Sequence, residues 1–184
     1  MTMPDAAAVP VAERHENIIL CGFMGTGKTT VGKIVAARLG WQVLDTDHII
    51  EEQVGHPISK IFAVHGESAF RQMEADVCER LALVKHKVIA TGGGIVLRED
   101  NREALVDVGL VVCLDAPAEI ISARLSSATD RPLIAGADPT QRIAELLSVR
   151  APAYAALPYH VNVASGTPQE IAEEIVVLWA RTQR

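Results

Sequence analysis

The sequence predicts an α/β domain of three layers, a five-stranded parallel sheet with helices on both faces. Three observations predict it. Short apolar runs of strand type recur five times in 184 residues, as expected of strands buried on both faces. Helical spacing separates each run from the next, and parallel strands need such crossovers. A glycine-rich turn joins the first run to the first helix, at the carboxyl end of a strand, where ligands collect in open α/β sheets.

The elements follow in order. Residues 17–23 read as a buried strand that ends in the glycine-rich turn. Helical spacing covers 28–39 and stops at Gly40, a good terminator. Residues 42–45 read as a short second strand, followed by helical patterns over 48–54 and 59–83, the latter interrupted at Gly66. A third strand at 87–91 is closed by Gly92, Gly93 and Gly94; a helix at 100–108 and a fourth strand at 110–114 come next. A helix over 117–125 leads into a polar stretch, 126–139, with two prolines and a glycine, which reads as a mobile lid. The chain then predicts a helix at 140–156, a strand at 160–163 and a closing helix at 168–181, with Pro168 suited to its first turn. Residues 1–16 are small, acidic and proline-containing and read as a flexible leader, which leaves 17–184 as one domain.

Composition narrows the function. A formal net charge of −6 argues against a general nucleic-acid binder, which carries a basic surface. No run approaches the ~18 apolar residues that span a bilayer, so no membrane partner is expected. Cys21, Cys78 and Cys113 show no pairing or metal spacing; Cys21 and Cys113 lie in apolar runs and read as buried thiols of a reducing compartment, the cytoplasm. The six histidines form no metal-ligand spacing and read as surface or structural residues. Trp41 and Trp179 read as packing residues, Trp179 on an apolar stripe with Ile171, Ile175 and Leu178.

The strongest motif is Gly22-Phe23-Met24-Gly25-Thr26-Gly27-Lys28-Thr29, which fits G-x-x-x-x-G-K-[ST] in full and sits between a strand and a helix. Its glycines let the loop wrap and aim backbone N–H groups inward, and the helix N-terminus adds partial positive charge. Lys28 is placed to reach the β- and γ-phosphates of ATP, and the Thr29 hydroxyl to ligate Mg²⁺. The motif specifies a nucleoside triphosphate and leaves the acceptor open.

Four further groups bear on the acceptor. Asp45 and Asp47 end the second strand; they suit a metal-linked carboxylate and an acceptor-side base, and equally a helix N-cap. Arg71 and Glu74 stand three apart on a helix and can pair; Arg71 can grip a carboxylate, or form only an exposed salt bridge. Gly92, Gly93 and Gly94 suit a close backbone approach to a ligand, or a loose turn. Arg131 in the lid can neutralise charge in a phosphoryl-transfer transition state, and Arg150 can be a second carboxylate grip; solvated arginines are the alternative for both.

This ordered set resembles the shikimate kinase family over residues 17–184: the loop 22–30, Asp45-Thr46-Asp47, Phe70-Arg71 with Glu74, the triple glycine, Arg131-Pro132-Leu133, and Arg150 with Tyr154. The resemblance implies a nucleoside-monophosphate-kinase-like fold with a lid, and transfer of the ATP γ-phosphoryl to the 3-hydroxyl of shikimate in aromatic biosynthesis. It implies that Asp47 holds and deprotonates the acceptor hydroxyl, with Lys28 and Arg131 acting on the phosphates. ATP is expected on Gly25, Thr26, Gly27, Lys28, Thr29, Thr30, Arg124 and Arg131, with the region of Pro168 also flanking the adenine. Shikimate is expected on Asp47, Arg71, Gly92, Gly93, Gly94 and Arg150, and one Mg²⁺ on Thr29 with Asp45. A monomer is expected. Lys60 and His65 depart from the acidic residues many members carry near the acceptor side. The competing readings are another small-molecule kinase, such as a gluconate kinase, and a catalytically silent nucleotide-binding module.

Overall fold

A computed structural model describes residues 15–126 and 138–183. Five strands, β1 (Ile18–Cys21), β2 (Gln42–Asp45), β3 (Lys87–Ala90), β4 (Leu110–Asp115) and β5 (Tyr159–Asn162), form one sheet in the order β2-β3-β1-β4-β5. Every pairing is parallel, with Ile19 of the central strand opposite Ile89 on one side and Val111 on the other. The helices are α1 (Lys28–Leu39), α2 (Thr46–Val54), α3 (Ile58–Leu81), α4 (Glu99–Val108), α5 (Ala118–Leu125), α6 (Pro139–Ala155) and α7 (Pro168–Thr182).

Strand alternation sorts the core into two layers. Ile18 and Leu20 point to one face, where they meet Val31 and Val35 of α1 and Ile171 and Ile175 of α7. Ile19 and Cys21 point to the other, against Ile50 of α2, Phe70 and Val77 of α3, Leu105 of α4 and Ile143 of α6. The whole of β1 is therefore sealed, which its run of apolar residues required. Trp179 is half-buried rather than fully enclosed: its ring meets Trp41 edge-on at 5.1 Å, and its indole N–H donates to the His15 carbonyl over 3.0 Å.

Local signals set the element ends. Gly40 stops α1 with φ 67°, its N–H donating to Ala36 O. Gly66 has φ 78° and ψ 171°, which breaks α3 into two helical pieces at the predicted residue. Pro168 starts α7 behind a Thr167–Glu170 capping box. Asn17 locks the foot of the central strand: its amide donates to Val84 O and Val108 O at 2.9 and 3.0 Å, and its side-chain oxygen accepts from Lys87 N at 3.0 Å.

The predicted elements and the observed ones differ at their ends. β1 is shorter than 17–23, because Gly22 and Phe23 already belong to the turn. A short 3-10 turn at Ile95–Leu97 was not predicted; Asn101 holds it by donating to Ile95 O over 2.8 Å. Most of the lid expected at 126–139, and residues 1–14 of the leader, lie outside the described residues. No helix among the described residues is long and apolar enough to cross a membrane.

Candidate active site

The site opens at the carboxyl ends of β1, β2 and β3. Gly22, Gly25 and Gly27 take φ of 128°, 80° and 96°, a left-handed path that curls the loop over the start of α1. A Cβ on Gly22 would lie 2.5 Å from Leu114 O, so the loop also needs glycine there to pass β4. The Thr26 hydroxyl donates to Phe23 O at 2.8 Å and fixes the curl. Lys28 Nζ folds over the loop and donates to the carbonyls of Gly22 and Phe23, both at 2.9 Å. Enclosure lowers the Lys28 pKa, against the opposing pull of Asp47 and Asp45.

At the next strand end, Thr29 donates its hydroxyl proton to Asp45 Oδ2 over 3.0 Å. Asp45 Oδ1 accepts from the backbone N–H of Asp47 and His48 at 3.1 and 3.4 Å. Asp45 therefore caps α2, as one sequence reading had it, and also reaches the phosphate loop through Thr29. A hydroxyl and a carboxylate so placed are hard oxygen donors of the kind that carry Mg²⁺ beside a triphosphate. Thr29 and Thr30 are open to solvent at the start of α1.

The acceptor side is built around the triple glycine. The Gly92 N–H donates to the buried Thr46 hydroxyl at 2.9 Å, which docks this turn on the start of α2. A Cβ on Gly92 would strike the Asp47 carboxylate, and one on Gly94 would strike the Arg71 guanidinium. The turn is thus a close approach of backbone to charged side chains, not a loose connection. Gly93 O accepts from Tyr154 Oη at 2.7 Å and from Arg150 Nη1 at 3.5 Å. Burial pushes the Tyr154 hydroxyl up to about 12, so it stays a donor.

Both arginines are more enclosed than surface helix residues. Arg71 is held in a fork, Nη1 on Glu74 at 2.7 Å and Nη2 on Glu67 at 2.8 Å. Its burial disfavours the charge, but the Glu74 and Glu67 carboxylates outweigh this and hold its pKa above the ordinary value. The Glu74 side chain is only 1% exposed, and its Oε1 is buried with no hydrogen-bond partner. Burial, with Asp47 nearby, raises the Glu74 pKa in spite of Arg71. Arg150 is 7% exposed and lies over the Phe23 ring at 5.4 Å. Glu67, Thr46 and Phe23 were given no role in the sequence; Thr46 and Phe23 act on residues distant in the chain, Gly92 and Arg150, which spacing does not report, whereas Glu67 stands at the helical pairing distance of four from Arg71.

On the other side of the loop, Arg124 donates from Nη2 to Val163 O at 2.7 Å and from Nη1 to Thr26 O at 3.5 Å, which fixes it beside the phosphate loop. A cavity of about 260 Å³ lies there, lined in part by Phe23, Thr26, Pro117, Leu147 and Tyr154. Arg131 lies outside the described residues. Direct contacts thus link Thr29 to Asp45, Asp47 to Gly92, Arg71 to Gly94, Arg150 to Gly93, and Arg124 to the phosphate loop.

A phosphate-binding loop, with carboxylates, a half-buried Arg71 and a buried Arg150 facing it across a glycine turn, defines a P-loop phosphotransferase acting on a small anionic molecule. The shikimate kinase family model matches residues 24–179. The chain belongs to the shikimate kinase family, whose reaction is ATP-dependent phosphorylation of shikimate. It is 44% identical over 166 residues to a shikimate kinase of Thermodesulfovibrio yellowstonii, covering 90% of this chain and 96% of that one. Among solved structures, a shikimate kinase from Acinetobacter baumannii in complex with shikimate superposes with a TM-score of 0.86 at 38% identity, covering 93% of this chain and 96% of that one. A gluconokinase from Sinorhizobium meliloti shares the fold, with a TM-score of 0.59 at 21% identity over 91% of this chain and 93% of that one.

Proposed function

We propose that the chain transfers the γ-phosphoryl group of ATP to the 3-hydroxyl of shikimate, with Asp47 as base and Arg71 and Arg150 as the carboxylate grip. The observation that carries this reading is the packing of Gly92 and Gly94 against the Asp47 carboxylate and the Arg71 guanidinium. Together these side chains form a floor that takes a hydroxyl at one end and a carboxylate at the other.

The steps follow from the residues. The loop N–H groups of Gly25, Thr26 and Gly27 bind phosphate oxygens at the head of α1. Lys28 exchanges its two carbonyl partners for the β- and γ-phosphates. Thr29 and Asp45 hold one Mg²⁺, which when bound neutralises phosphate charge. Arg71 and Arg150 clamp the acceptor carboxylate, and Gly93 fixes the ring from below. Asp47 accepts the proton of the acceptor hydroxyl as its oxygen bonds to the γ-phosphorus. The bond from that phosphorus to the bridging oxygen breaks, and ADP leaves with the electron pair. Arg124 and the start of α7 at Pro168 flank the adenine, while Thr30 completes the loop and Arg131 reaches the phosphates from the lid.

We place the chain in the cytoplasm as a monomer of one domain, 17–184, with a leader before it and a lid at about 126–139. The three cysteines are free and buried, as suits a reducing compartment.

The test is ADP release with ATP and Mg²⁺, comparing shikimate with gluconate, quinate and AMP. Turnover on shikimate alone supports the assignment of the acceptor residues. Turnover on another acceptor, with none on shikimate, leaves the phosphate loop standing and overturns the roles given to Asp47, Arg71 and Arg150.

A further inference from the structure

We propose that Cys113, Asp115 and His160 form a binding site for a borderline divalent cation of the zinc type, on the far side of β1 from Thr29 and Asp45. Parallel pairing sets Cys113 of β4 opposite His160 of β5. Asp115 lies two residues along β4 and so shares a face with Cys113. The thiol sulfur, a carboxylate oxygen and an imidazole nitrogen lie within 4.8 Å of one another. Ligand atoms around one zinc ion stand about 3–4 Å apart, so small side-chain rotations bring the three onto a common ion.

The hydrogen bonds point to a cation as well. His160 Nε2 lies 3.2 Å from the Leu157 carbonyl, which can only accept, so Nε2 carries a proton. That leaves Nδ1 facing Asp115 Oδ2 at 2.7 Å, two acceptor atoms that need positive charge between them. A proton on Nδ1 serves, and so does a metal ion. An Nε2–H bond to a backbone carbonyl is also the contact that orients metal-ligating imidazoles. The second carboxylate oxygen, Oδ1, accepts the Cys113 thiol proton at 3.2 Å.

Thiol, imidazole and carboxylate together select zinc-type ions over Mg²⁺, which prefers all-oxygen ligands. Three protein ligands leave a fourth position for water. The His160 and Asp115 side chains are 38% and 46% exposed, so an ion enters from solvent, with Cys113 behind them. Binding displaces the thiol proton, which passes to the buffer. Burial and the Asp115 carboxylate push the thiol's pKa up, so the ion competes for a tightly held proton. Asp115 O also accepts from Val163 N at 2.8 Å, and Val163 O holds Arg124, so an ion here pins β5 to β4 beside the cavity.

Cobalt tests this, because thiolate ligation gives a charge-transfer band in the near ultraviolet that oxygen sites cannot give. Titrating the whole protein with Co²⁺ should develop the band at one ion per chain, and Zn²⁺ should remove it. Cys113→Ser should abolish the band, and Cys78→Ser should retain it. His160→Gln, at an exposed position on the sheet edge, should weaken binding by roughly tenfold or more with an unchanged circular dichroism spectrum. The proposal is overturned by the absence of a band in the parent protein, or by a band whose affinity is unaffected in His160→Gln.

Discussion

Gly94→Ala displaces the acceptor grip and leaves its backbone in place. Gly94 has φ −106° and ψ −8°, a backbone that alanine adopts without strain. The added methyl would meet the Arg71 guanidinium, at 2.7 Å from Cζ and 2.9 Å from Nη2. It meets the far end of a flexible side chain, so the guanidinium moves and the backbone stays. Stability should fall as well, because the displaced guanidinium strains its pairing with the buried Glu74 carboxylate. Binding should change more. A hydrogen bond to a charged group contributes about 1.5–3 kcal/mol, so a displaced Arg71 should raise the shikimate KM roughly ten- to hundredfold. The kcat should fall less, since Arg71 grips the carboxylate and not the transferred group. The assay is ADP release at saturating ATP across a shikimate series, beside thermal unfolding of the same preparations. A shikimate KM within twofold of the parent for Gly94→Ala, at unchanged melting temperature, refutes the assigned position of the grip.

Asp47→Asn keeps the shape at the end of β2 but cannot take the acceptor proton, so kcat should fall by about 10²-fold or more while ATP affinity is retained; near-normal turnover would remove Asp47 as base. Glu74→Gln should change how stability depends on pH. The native Glu74 pKa lies above its ordinary 4.5, so the folded state keeps a proton that the unfolded chain has lost. The parent therefore loses stability as pH rises from about the ordinary carboxyl value through the raised one. The variant should lack that component, and parallel melting-temperature profiles would contradict it. Asn17→Ala removes three side-chain hydrogen bonds at the foot of β1 and strands buried backbone partners. Urea denaturation should show a loss of about 2–4 kcal/mol, and a loss under 1 kcal/mol would count against the clamp.

Much of the fold was legible because it follows from local physics. Helix α1 was readable to the residue: its apolar spacing ends at Gly40, which takes the left-handed conformation that the stop requires. Gly66 broke α3 for the same reason. The phosphate loop was legible because its chemistry is contiguous. The acceptor site was legible only as an ordered set of weak signals. Nothing near Arg150 in sequence says that it is buried against Phe23, since that contact depends on how α6 returns to the loop. Glu67 was missed although it stands four residues from Arg71; Glu74, at three, already supplied a partner, and only the fold shows that the guanidinium takes both. The pairing of Cys113 with His160 was invisible for a similar reason: a parallel register joins residues 47 positions apart without leaving a spacing rule. The 3-10 turn after the triple glycine is held from the start of α4, by the Asn101 amide and the Arg102 guanidinium, which no periodicity announces.

The strand order has a consequence for how such a catalyst diversifies. β2, the start of α2 and β3, on one flank of β1, carry Asp45, Asp47 and the glycine turn, while Val163, just past β5 on the other, anchors Arg124 together with Thr26 of the loop. The central strand and its loop serve both flanks. Asp45 stands on the first flank yet bonds the phosphate loop, and Arg150 of α6 reaches the glycine turn, so the two halves interlock. A library meant to change acceptor choice therefore holds Thr29 and Asp45 fixed and varies the β3 turn together with α6.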